Sequence, residues 1–234
     1  MFPRQPIKLI DCDAHGLASG AELFVVEGDS AAQAVARIRN EKYQAVLPMQ
    51  GKPMNAMKTS EKNIRKNPFF SALVEAIGTD MADAFVLSNC RYQRIVLLFD
   101  PDADGIHCGT LALMFFYRWM RPLLEASHIT IIRPPMMEII ADQVDFPRLA
   151  YSEEEGQSIS QELSLQKHSN IIKRRFRGLA SFNVDTLLHC CVKPTTRNIF
   201  QLTTGDAESS IELMSMIGED SASRHNPTDR VRLE

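Results

Sequence analysis

Three carboxylates at alternate positions, Asp100, Asp102 and Asp104, follow directly on the apolar run Arg94-Ile-Val-Leu-Leu-Phe99 and end at Gly105. A short apolar run bounded by turn residues reads as a buried β-strand, so the acids gather where that strand empties into a loop. Carboxylates so crowded repel one another unless a hard cation lies between them, and all-oxygen ligation favours Mg²⁺, Mn²⁺ or Ca²⁺ over Zn²⁺. A calcium EF-hand loop is excluded. A strand-type run precedes the acids where an EF-hand needs a helix, and the twelfth position, which must supply a bidentate Glu, is Leu111.

A second acidic motif bears on what the first is for. The stretch Ala21-Glu-Leu-Phe-Val-Val-Glu27 is another short apolar strand, and Glu27-Gly28-Asp29-Ser30 leads from it into the helix-like run 31–38. Gly28 permits a tight turn, and Asp29 or Ser30 is placed to cap the helix. In a parallel α/β sheet the carboxyl ends of the strands share one edge, so Glu27 can meet the Asp100 cluster from 73 residues away. A strand-end Glu joined to a strand-end Asp-x-Asp resembles the toprim fold of topoisomerases, primases and some nucleases.

Further segments narrow the resemblance. Gln44-Ala-Val-Leu-Pro-Met-Gln-Gly-Lys-Pro-Met-Asn55 is similar to the segment of gyrase B and topoisomerase IV in which a strand runs into Pro-Leu-x-Gly-Lys-x-x-Asn. Gly105-Ile-His-Cys-Gly-Thr-Leu-Ala-Leu-Met-Phe-Phe-Tyr-Arg118 resembles the helix that follows the acidic loop in that family, and Ile129-Thr-Ile-Ile-Arg-Pro-Pro135 resembles its next strand. Arg175-Phe-Arg-Gly-Leu179 looks like the family's Arg-Tyr-Lys-Gly-Leu, and Met216-Ile-Gly-Glu219 like its closing Met-Gly-acid. Residues 8–220 thus resemble the toprim region of type IIA topoisomerases. The chain departs from that pattern at Gln50, where the family usually carries a basic residue, at Gly109, where it usually carries Arg, and at Ala180-Ser181, which replaces Gly-Glu.

The resemblance implies a function and its residues. Glu27, Asp100 and Asp102 would hold Mg²⁺, with Mn²⁺ or Ca²⁺ able to substitute in binding, and Asp104 would be a second-metal or outer ligand. Lys52, Asn55, His107, Arg175 and Arg177 would contact double-stranded DNA. The nucleophilic tyrosine would come from a gyrase A-like partner, because Tyr43, Tyr92, Tyr117 and Tyr151 lie in no segment like the family's nucleophile region. No Gly-x-x-x-x-Gly-Lys-Ser/Thr loop is present, so any ATPase would be a separate polypeptide. The expected activity is that of a component of an ATP-hydrolysing type II DNA topoisomerase, inactive alone. Two alternatives stay open: a non-catalytic DNA-binding or regulatory toprim paralogue, and a metal-dependent toprim nuclease.

The remaining composition bounds the setting. A hydrophobic share of 44% in 234 residues suffices for one medium or two small cores. The five cysteines form no Cys-x-x-Cys pair, and with no signal-peptide or membrane-length apolar run they suggest reduced thiols in the cytoplasm. Net charge is −3, yet 52–66 and 167–177 are basic and suited to phosphates.

The apolar patterns predict strands near 23–26, 45–47, 95–99 and 129–132 and helices near 31–38, 69–77 and 110–124. The expected fold is α/β: a toprim, Rossmann-like parallel four-stranded sheet flanked by helices, with a mainly helical C-terminal tail packing back on it. Residues 8–140 are expected to form the toprim domain, 141–166 a linker or variable insertion, 167–220 the associated tail and 221–234 a flexible end. Asn183 is a candidate cap for a helix in the tail.

Overall fold

The computed structural model describes residues 8–51 and 53–223, so most of the end expected at 221–234 lies outside the described residues. Its strands are β1 (Glu22–Glu27), β2 (Gln44–Met49), β3 (Arg94–Leu98), β4 (Ile129–Ile132), β5 (Met137–Ile140), β6 (Arg148–Ala150), β7 (Ile172–Arg175) and β8 (Ile199–Gln201). The α-helices are α1 (Gly28–Ala36), α2 (Glu61–Lys66), α3 (Pro68–Ile77), α4 (Ala103–Trp119), α5 (Arg121–Glu125), α6 (Glu153–Leu165), α7 (Val184–Leu187) and α8 (Thr204–Ser223). The main sheet has the order β2-β1-β3-β4-β8. Its first four strands are parallel, as the alternation of apolar strands and helices predicts, while β8 returns from the tail and pairs antiparallel with β4.

Helices cover both faces of this sheet, so successive residues of each strand enter different cores. Leu23, Val25, Leu97 and Phe99 face Phe70, Leu73, Ala112 and Phe115. Phe24, Val26, Val96 and Leu98 face Ala31, Val35, Phe176, Leu179 and Cys191. The Phe70 and Phe115 rings stack at 4.3 Å and 12°, a pair that adds about 0.5–1.5 kcal/mol beyond the area it buries. The second core is completed by the tail, which contributes Phe176, Leu179, Phe182, Leu187, Cys191 and Val192.

Two elements differ from expectation for local reasons. The single helix expected near 110–124 is two, α4 and α5, broken at Met120. Pro122 cannot continue a helix but suits the first turn of a new one, where its missing N–H costs nothing. The stretch 141–166, expected as a linker or insertion, contains β6 and α6. Ser152 caps α6 by accepting the Glu155 N–H at 3.1 Å, and Glu155 reaches back to the Tyr151 N–H at 2.7 Å. Only Gly156, Ile159 and Leu163 of α6 are buried, a stripe so narrow that the segment's composition stays polar. It packs on the small sheet β6-β5-β7 around Met137, Ile139 and Ala150. Asn183 caps α7 as expected, accepting the Thr186 N–H at 2.7 Å.

The tail is fastened to the amino edge of the main sheet by a buried ion pair. Glu22, at the start of β1, accepts from Arg197, from Arg94 at 2.8 Å and from Gln44 at 3.0 Å, and Arg197 also donates to the Val192 carbonyl at 3.0 Å. The Glu22 and Arg197 side chains are only 5% and 1% exposed. Burial alone would raise the Glu22 carboxyl, but the bonds from Arg197, Gln44 and Arg94 outweigh it and hold the group below its ordinary value.

Replacing Arg197 with Met leaves Glu22 buried without its main partner and is expected to cost about 3–5 kcal/mol in urea unfolding, more than the double change Glu22→Gln with Arg197→Met. A depressed carboxyl stabilises the fold above its unfolded value, roughly 4.3, and loses that contribution as pH falls through the folded value. The coupling between Glu22 and Arg197 in a double-mutant cycle is therefore expected in full at neutral pH and to shrink below about pH 4.

Candidate metal centre

Register sets the position of the acids. In the parallel pairing of β1 with β3, Val26 lies beside Leu98, so Glu27 and the Asp100 loop leave the sheet side by side at its carboxyl edge. Each then enters a helix. Glu27 holds the extended N-cap position of α1, and Gly28 at φ +79° makes the turn. Asp102 caps α4, its Oδ1 accepting the Gly105 N–H at 2.8 Å, and Asp104 lies exposed in the first turn. The positive ends of two helix dipoles thus meet the acidic edge and offset part of the mutual repulsion.

Asp100 is the most constrained of the group. Its main chain lies so close to Gly105 that a Cβ there would stand 2.1 Å from the Asp100 carbonyl oxygen, which explains a glycine at that position. Its side chain is half-buried and faces the tail, where the Leu179 N–H donates to Oδ1 at 2.8 Å. Burial pushes the Asp100 carboxyl above its usual range; the Leu179 bond lowers it and the neighbouring Asp102 charge raises it again. Glu27, Asp100 and Asp102 are all oxygen donors on neighbouring segments of the same edge, and one of the carboxyls is already destabilised as an anion. Such a set fits a hard divalent cation, whose charge would relieve that penalty.

The other expected site residues are placed less uniformly. Lys52 lies outside the described residues. Asn55 follows β2, whose Met49 pairs with Glu27, and its Oδ1 caps the short turn 56–58 by accepting the Met57 N–H at 2.9 Å. His107 lies in the second turn of α4, partly buried. Arg175 pairs with Glu153 at 2.7 Å and Arg174 with the fully buried Glu138, while the Arg177 side chain is exposed. The basic run 173–177 is therefore not uniformly available to phosphates, because two of its arginines hold β7 against β5 and α6.

Asp29 does not cap α1. Its carboxylate accepts from Lys8 at 2.6 Å and Gln50 at 3.2 Å, and the Lys8 bond holds it below its ordinary value. Gln50 thus holds an acid beside the edge where the resembling family usually carries a positive charge. Sequence reasoning missed Leu179 as a partner of Asp100. The one signal for it was Gly178, which lies inside the tail motif and draws less notice than the charges flanking it.

Among the described residues, the group of three ligand-type side chains whose ligand atoms lie within 4.8 Å of one another is Asp11, Cys12 and His15, beyond the amino ends of the strands, whereas the oxygens of Glu27, Asp100 and Asp102 are not gathered that closely. Asp11 there is already engaged by Tyr92 at 2.7 Å, His15 at 3.1 Å and the Arg91 guanidinium. A fixed positive charge on the acid disfavours a cation, so this group reads as an anchor for the entering chain.

Residues 22–134 match the family model of the toprim domain. The DNA gyrase B protein of Archaeoglobus fulgidus is 36% identical over 222 residues, which cover 94% of this chain and 34% of that protein. The DNA gyrase B protein of Thermotoga maritima is 37% identical over 230 residues, 98% of this chain and 35% of that protein. The chain therefore spans about a third of the length of the curated relatives it matches. The matched span holds both acidic motifs and all four parallel strands, and the similarity to gyrase B runs on through the tail that touches Asp100: residues 22–134 are a toprim domain, and the chain is a homologue of DNA gyrase B.

Proposed function

We propose that this chain supplies the metal-holding part of the DNA cleavage and religation centre of a type II topoisomerase. The observation that carries the reading is the convergence of Glu27 with the Asp100 loop at one sheet edge, under two helix N-termini. Glu27, Asp100 and Asp102 would hold Mg²⁺, with Asp104 as a second or outer ligand and Mn²⁺ or Ca²⁺ able to replace it in binding. Bound there, the cation supplies charge stabilisation for the scissile phosphate and the departing 3′ oxygen.

The chain's own groups position the DNA around that point. Arg177, exposed at the end of the basic run, is placed for backbone phosphates, and Arg175 is joined to Glu153 only by an exposed pair that a phosphate can outcompete. Lys52, Asn55 and His107 complete the proposed contact set, the last two on segments that follow strands ending at the same edge. The attacking tyrosine belongs to a gyrase A-like partner, and ATP is hydrolysed outside these residues. No helix among the described residues is long and apolar enough to cross a membrane.

Calorimetric titration with Mn²⁺ or Mg²⁺ is expected to show a site in the wild type that is weakened in Asp102→Asn, and equal binding by the two would remove the cluster from the reading. In DNA binding, Arg177→Ala is expected to lower affinity alike for unrelated sequences and to reduce the salt slope by about one. Arg174→Ala is expected instead to destabilise the fold, on the order of 3 kcal/mol, because it strands the buried Glu138. A gel assay for covalent protein–DNA complexes is expected to show Mg²⁺-dependent cleavage only when the chain is combined with a tyrosine-bearing partner. Cleavage by the chain alone would favour a nuclease, and none in any combination, with DNA binding intact, a regulatory role.

A further inference from the structure

The tail meets the acidic edge at Gly178 and Leu179, and the contact with Asp100 is close. Gly178 has φ +150° and ψ 168°, a conformation essentially reserved to glycine. A Cβ at Gly178 would stand 2.7 Å from Asp100 Oδ2 and 3.3 Å from Oδ1. The next residue, Leu179, donates its N–H to Oδ1 at 2.8 Å. The turn itself is fixed from both sides. Ser181 Oγ donates to the Gly178 carbonyl at 2.7 Å and accepts the Arg177 N–H at 3.0 Å, while Phe176 and Phe182 stack at 4.0 Å and 11°. Phe176, Leu179 and Phe182 are buried in the same core as Val26 and Leu98, the strand residues just before Glu27 and Phe99.

We propose that Gly178 and Leu179 are positioning residues for the metal centre: the turn restricts the rotamer of Asp100 and engages one lone pair of Oδ1, leaving the remaining lone pairs of the carboxylate for a cation. The proposal rests on the metal reading above and goes beyond it by making the tail an outer shell of the site. A carboxylate on a loop end has two soft torsions, and without the turn Asp100 would sample more orientations than a ligand can hold without cost to affinity. Loss of a partner that orients a ligand commonly lowers metal affinity about 10–100-fold, whereas the same loss at a purely structural turn would leave affinity unchanged in folded protein.

The test is Mn²⁺ calorimetry on the full chain for wild type, Asp102→Asn, Gly178→Ala and Ser181→Ala, with circular dichroism and thermal unfolding in metal-free buffer. Gly178→Ala is expected to bind Mn²⁺ about ten-fold or more weakly with its secondary structure intact, and Ser181→Ala to lie between it and the wild type. Should Gly178→Ala fail to fold, Ser181→Ala, which leaves the backbone unstrained, decides the matter. A readout free of metal accompanies these: in Asp100→Ala, hydrogen exchange at the Leu179 amide is expected to quicken while the Arg177 and Ser181 amides, whose acceptors are not Asp100, keep their rates. Wild-type affinity in both turn variants beside a weakened Asp102→Asn overturns the positioning role alone. Equal affinity of Asp102→Asn and wild type, or no Mn²⁺ binding at all, overturns the metal site together with the proposal, and an unchanged Leu179 amide in Asp100→Ala overturns the contact itself.

Discussion

Like charges brought to one sheet edge are the constraint around which this molecule is arranged. Parallel pairing of β1 with β3 delivers Glu27 beside the Asp100 loop, and no strand-level choice can separate them without breaking a register held by buried apolar side chains on both faces. The fold answers the repulsion with fixed partial charges. The N-termini of α1 and α4 face the acids, Asp102 accepts a main-chain N–H of its own helix, and Asp100 accepts one from the tail. These contacts lessen the repulsion and leave Asp100 raised, which is the state a divalent cation would relieve.

The tail is held at both ends of the strands. At the amino edge Arg197 reaches the buried Glu22, and at the carboxyl edge Leu179 reaches Asp100. Between the two contacts, Phe176, Leu179, Leu187, Cys191 and Val192 fill the second core. A buried ion pair adds little net stability over an apolar replacement, but it tolerates only one arrangement of its partners. The Glu22–Arg197 pair ties the tail to the amino end of β1, while Leu179 meets Asp100 at the carboxyl end of β3.

Charge in the basic run is divided between folding and surface. Along β7, Arg174 neutralises a glutamate with no solvent exposure, while Arg175 bridges to the first turn of α6. Beyond the strand, the exposed Arg177 lies beside the turn that contacts Asp100. The segment that joins the small sheet to the acidic edge is thus also the one that carries charge towards it.

The sequence by itself determined the four parallel strands, the acidic residues and the α/β alternation, because these rest on local signals: apolar runs of strand length, turn glycines and acids directly after them, whereas β5 to β8 carry no such run. The parallel direction of the four central strands, though not their order, followed from the same pattern, and Asn183 was legible as a cap. Tertiary structure alone decided what pairs with what across the chain. Asp29 bonds Lys8 and Gln50 rather than its own helix, because the loop after β2 and the entering chain both pass beside it. The polar stretch around α6 folds because a stripe of three buried residues suffices against a sheet, and a stripe that narrow leaves no mark on composition. Leu179 reaches Asp100 across 79 residues through its backbone N–H, a group every residue but proline possesses and which no pattern of side chains can announce.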